Sequence, residues 1–103
     1  MQELKRHVGL VLLLLLPAVL YGQATVKGFL RSKESGEPVM FASVSLEGTS
    51  FGVMSDIEGF YSLSRVPAGT YTLVISSMEY EGVTERVELV DGKITTRNFL
   101  LEQ

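Results

Sequence analysis

Asp56 and Glu58 flank Ile57 immediately before Gly59, and this pair of carboxylates invites two chemistries. A carboxylate pair can hydrolyse a bond by general acid and base action. Alternating oxygen donors ahead of a glycine can also open a calcium loop. Neither is expected. The chain runs on as Phe60-Tyr61-Ser62-Leu63, a strand pattern that supplies no third or fourth donor. A solvated turn in which Asp56 caps its own backbone is the expectation. The only histidine is His7, inside the amino-terminal segment read below as a cleaved leader, so the mature chain is expected to hold no imidazole, and there is no cysteine. A zinc site of His and Glu ligands, a Ser-His-Asp triad and a Cys-His pair therefore all lack their central residue. No catalytic, cofactor-binding or metal-ligating residue is assigned, no cofactor is expected, and the chain reads as non-enzymatic.

The aromatic residues offer a different chemistry, since exposed rings stack on sugars. Tyr61, Tyr71 and Phe99 are the candidates for such a platform, but Tyr61 and Tyr71 fall in the inward phase of their strands and are expected in the core. Phe29, Phe51 and Phe60 fall out of phase and are the better candidates for an exposed contact surface. Glu79, Glu81, Glu85 and Glu88 cluster late in the chain and read as a solvated loop and strand, with an acidic docking face as the alternative. Thr95 and Thr96 suggest a strand edge open to another chain.

Residues 1–23 form a separate object. Lys5, Arg6 and His7 precede an apolar run of 13 residues, Val8 to Leu20, which contains Pro17. A spanning helix needs about 20 apolar residues, so a secretory leader cut after Gly22 or Gln23 is the expectation, with no transmembrane span in the mature chain. Removing it lowers Lys plus Arg from 9 to 7 and Asp plus Glu from 12 to 11, leaving a net charge of −4. Scattered cations among more numerous carboxylates exclude nucleic acid as an expected partner. An exported domain without disulfides fits a bacterial envelope, periplasmic or associated with the outer membrane.

The remaining residues, 24–103, suffice for one core. Gly36, Pro38, Gly48, Gly52, Gly59, Pro67 and Gly69 punctuate short runs that alternate apolar and polar residues. Turns at that density predict an all-β, seven-stranded antiparallel Greek-key sandwich. Ala24 to Arg31 reads as an edge strand with Val26, Gly28 and Leu30 inward, and Ala42, Val44 and Leu46 form the next inward row. Phe51–Ser55 and Phe60–Arg65 are expected to pair as a hairpin. Tyr71, Leu73 and Ile75 mark the central strand, with Tyr71 as the central aromatic of the core. Val83–Val90, with Val87 and Leu89 inward, is expected to fold back through Asp91-Gly92 onto Lys93–Leu101. The register of that last strand is open, because Phe99 and Leu101 share one face while Ile94 and Leu100 share the other.

Val26-x-Gly28-x-Leu30, Ser35-Gly36-Glu37-Pro38-Val39, Ala42-x-Val44-x-Leu46-x-Gly48-Thr49, Gly52, Ser55-Asp56, Gly59-x-Tyr61-x-Leu63 and Val66-Pro67-x-Gly69-x-Tyr71-x-Leu73 appear in this order. The series resembles the carboxypeptidase regulatory-like domain, which is similar in fold to transthyretin. Phe41 departs from it where the family commonly has Gly or Asn, and Glu79 departs where a Gly usually precedes the aromatic residue, here Tyr80. The resemblance implies a non-catalytic accessory module, found beside metallocarboxypeptidase domains and directly after the signal peptide of TonB-dependent outer-membrane nutrient receptors. The implied partners are an envelope protein or, in a longer form, the receptor's own barrel, with a glycan as the alternative. A free-standing domain and the front of a longer receptor are both compatible with the sequence.

Overall fold

The computed structural model describes residues 22–103, so the leader expected over residues 1–23 lies almost wholly outside the described residues. Eight strands follow one another: β1 (Gln23–Ser32), β2 (Ser43–Leu46), β3 (Gly52–Met54), β4 (Phe60–Pro67), β5 (Gly69–Ser76), β6 (Val83–Leu89), β7 (Ile94–Thr96) and β8 (Phe99–Leu101). They form two sheets, β4-β1 with β7 and β8 beside β1, and β3-β2-β5-β6. The inward rows of Val26, Leu30, Tyr61, Leu63, Val66 and Leu101 on one sheet meet Val44, Leu46, Leu73, Ile75, Val87 and Leu89 on the other, all essentially buried. Period-2 alternation places these side chains on a single face of each strand, and the two faces close the core between them.

The structure corrects the expected architecture at four points. Among the described residues there are eight strands rather than seven, and β7 and β8 both run parallel to β1. β1 is not an edge strand, since β4 pairs along one side of it and β7 and β8 along the other. Its outward Lys27 and Arg31 marked a solvated face, and the polarity of a face says nothing about which strands flank it. β3 does not pair with β4: it pairs with β2, Ser43 opposite Met54, while β4 pairs with β1. Between them the chain crosses from one sheet to the other at a corner where Asp56 Oδ1 accepts the Glu58 and Phe60 amides, both at 2.9 Å. β6 likewise does not fold back onto the last strand. Gly92, at φ 73, donates its amide to the Gln23 carbonyl, and the Lys93 carbonyl accepts the Thr25 amide, which lays β7 along β1. The expected central position of Tyr71, Leu73 and Ile75 is observed, with β5 between β2 and β6.

The open register of the final strand resolves as a strand broken in two. Between β7 and β8, the Arg97 amide donates to the Lys27 carbonyl, and Asn98 Oδ1 takes the Phe29 amide at 2.8 Å. The Arg97 carbonyl turns over Gly28, where a Cβ would stand only 1.8 Å from it. Tyr61, directly opposite Gly28 on β4, donates its hydroxyl to that carbonyl at 2.7 Å. Glycine is needed here for the close backbone approach. Thr95, Arg97, Phe99 and Leu101 share the inward phase, and at the rim Arg97 Nε reaches Glu85 of β6 at 3.2 Å, linking the two sheets.

Candidate interaction surface

Three loops gather at one end of the sandwich, because Ser43 at the start of β2 lies opposite both Met54 at the end of β3 and Ser76 at the end of β5. Ser55, buried between them, fixes this end. Its hydroxyl donates to the Val39 carbonyl at 2.8 Å and accepts the Ala42 amide at 2.9 Å, while its carbonyl takes the Phe41 amide. The clip holds Phe41 at φ 56. That left-handed conformation costs a non-glycine residue about 1 kcal/mol or more, so Gly or Asn would suit this position better than Phe. Glu79, the other departure, is not among the residues at positive φ.

The loop Pro38–Ala42 faces the loop after β5 across a cleft of about 390 Å³ lined by Glu37, Pro38, Val39, Met40, Phe41, Ser77, Met78, Glu79 and Tyr80. Tyr80 is half-buried and packs back against the core, whereas Met40, Phe41 and Met78 are exposed, Met78 completely. The far end of the second loop is tied to the carboxy-terminal segment by the Glu81 amide on the Glu102 carbonyl at 2.6 Å. Lys33 Nζ sits 2.8 Å from the Glu102 carboxylate. That contact raises the lysine pKa and lowers the carboxyl's, chiefly through the hydrogen bond. Both groups are in solvent, so the pair adds little to stability. Clustered exposed apolar side chains of this kind mark contact surfaces in soluble domains.

The residues singled out in the sequence are dispersed. Asp56 caps its turn as expected, and among the described residues no group of three or more His, Cys, Asp or Glu is placed to hold a metal ion. Tyr61 is buried, Tyr71 and Phe99 are half-buried, and the three form no exposed platform. Tyr61, not Tyr71, is the central aromatic of the core; Tyr71 sits at the margin with its hydroxyl donating to the Pro67 carbonyl at 2.6 Å. Phe51 packs against the core, but Phe29 and Phe60 pair on the outer face of the first sheet, centroids 5.2 Å apart. The Arg31 guanidinium lies 5.7 Å from the Phe29 ring centre, beside a hollow of about 200 Å³ that also touches Asn98 and Leu100. Glu79 lines the cleft, Glu85 pairs with Arg97 and Glu88 lies on β6, so the late carboxylates make no common face. Thr95 and Thr96 do lie on an edge strand, β7. Met40 and Met78 carried no strand signal; the one sequence sign of this surface was Phe41 in place of a Gly or Asn.

The profile of the CarboxypepD_reg-like domain matches residues 26–103. The chain belongs to this family. No curated protein matches it in sequence. Among solved structures it is similar to the Bacillus anthracis TIE protein, with a TM-score of 0.66 and 16% identity over 79% of this chain and 16% of that one. It is also similar to GBS52, the minor pilin of Streptococcus agalactiae, with a TM-score of 0.63 and 11% identity over 81% of this chain and 45% of the pilin. The 5-hydroxyisourate hydrolase of Klebsiella pneumoniae gives 0.59 and 18%, covering 77% of this chain and 90% of the enzyme. At these identities the likeness is one of fold, a transthyretin-like sandwich. Among the described residues no helix is long and apolar enough to cross a membrane.

Proposed function

We propose that this CarboxypepD_reg-like domain is a non-catalytic, exported interaction module of the bacterial cell envelope, related to the amino-terminal domain of TonB-dependent outer-membrane receptors. The observation that carries the reading is the exposed cluster of Met40, Phe41 and Met78 on a clipped loop end, in a chain whose only histidine precedes the domain. A leader-like segment directly before the family domain supports export. The occurrence of the fold in a minor pilin is compatible with a structural or docking role. Fractionation of host cells with intact-mass analysis of the recovered chain tests it. The expected product begins at Gln23, because Gln23 is the first residue of β1 and its carbonyl accepts the Gly92 amide. Recovery of the Met1 form embedded in membrane overturns the exported reading.

A carbohydrate-contacting module is the second reading, and one observation favours it. The Phe29–Phe60 pair with Arg31 presents rings and a cation on the outer face of the first sheet. Loss of glycan binding in Phe29→Ala, with folding retained, decides for it.

A further inference from the structure

Glu37 stands on one wall of the loop-end cleft and Glu79 on the other, and they are its only charged lining residues. Between them the large exposed apolar side chains are Met40, Phe41 and Met78, unbranched or planar groups that adapt to what they meet. We propose that this cleft receives an extended segment of a partner protein that offers one apolar side chain beside a lysine or arginine. The inference deepens the interaction-module reading and rests on it. Charge complementarity selects the occupant: two carboxylates repel an acidic peptide or an anionic lipid surface and attract a cation flanking the apolar anchor. The geometry of Phe41 adds weight. The fold holds this residue in a backbone conformation that favours glycine, yet the residue is 61% exposed and is not part of the buried core. A large side chain kept where the backbone disfavours it, and outside the core, points to a contact made outside the domain.

Selection of random peptides displayed on phage against the full chain tests the proposal. The enriched peptides should share an aliphatic or aromatic residue with Lys or Arg within two positions. A synthetic copy of the strongest should bind Phe41→Gly and Met78→Ser at least about tenfold more weakly, as expected of residues central to a contact. Phe41→Gly is the discriminating variant, because it relieves the backbone and should fold at least as well as the parent. Glu37→Lys combined with Glu79→Lys should turn the selection towards acidic peptides. Enriched peptides without basic residues overturn the proposal, as does binding that Phe41→Gly and Met78→Ser leave unchanged. That last result moves the site elsewhere and leaves the interaction-module reading standing. Failure to enrich any peptide overturns the cleft proposal, and crosslinking in cells then tests the broader reading separately.

Discussion

Replacing Tyr61 by Phe removes one oxygen atom and tests the anchor of the broken strand. The hydroxyl donates to the Arg97 carbonyl at 2.7 Å across Gly28, where no side chain can replace it. Leaving a partly buried carbonyl without its donor costs about 1 to 2 kcal/mol. For a domain of this size that lowers Tm by roughly 5 to 15 °C. Burial pushes the Tyr61 phenol up to about 12, with Glu85 adding to the rise and Arg97 opposing it. Because the folded value lies above the ordinary one, the unfolded chain loses its proton first as pH rises. The stabilisation is therefore complete below about pH 10 and is lost as pH approaches 12. Melts followed by circular dichroism at pH 7 and across pH 9–12 should show the variant less stable at neutral pH and less sensitive to alkali. Every other ionisable group is common to both proteins, so the difference isolates Tyr61. Equal melts at pH 7 with identical alkaline slopes refute the reasoning.

Further outcomes follow from the same geometry. Gly59→Val should cost more than Gly69→Val: a Cβ at Gly59 meets the Leu30 carbonyl at 2.4 Å, whereas at Gly69 the nearest atom is in the Tyr71 ring at 3.6 Å. Denaturant midpoints of the two variants give the order. Tyr61→Ala should cost about 3 to 5 kcal/mol as truncation of a buried aromatic, and Tyr71→Ala less, since Tyr71 is only half-buried; thermal unfolding compares them. Phe41→Gly should raise the denaturant midpoint by up to about 1 kcal/mol of stability by relieving the left-handed backbone.

The sequence displayed the inward rows clearly: Val44 and Leu46 alternate with Ser43, Ser45 and Glu47, and the rows of Val26 and Leu30 and of Leu73 and Ile75 keep period 2 despite Phe29 and Val74 on the other face of their strands. Which strands touch was less legible. Asp56 to Gly59 and Asp91-Gly92 read as hairpin turns, yet each carries the chain to the opposite sheet, because partner choice depends on β1 having two sides to fill. Tyr61 and Tyr71 share the same inward phase, and only the position along β4 and β5 separates a core ring from a marginal one. The cleft was the least visible feature. Met40 and Met78 stand 38 positions apart in the chain, on loops brought together by the pairing of β2 with β5. The dispersal of the late glutamates has the same origin, since Glu79, Glu85 and Glu88 fall on a loop, a rim and an outer face.

The claim that this is an interaction module acting through its loop end is tested most directly by placing a photocrosslinking amino acid at Met78 and, as control, at Ser62 on the outer face of β4, in host cells. The account predicts a discrete protein adduct from position 78 that Phe41→Gly abolishes, and none from position 62. No adduct at position 78, or equal adducts from both positions, contradicts it.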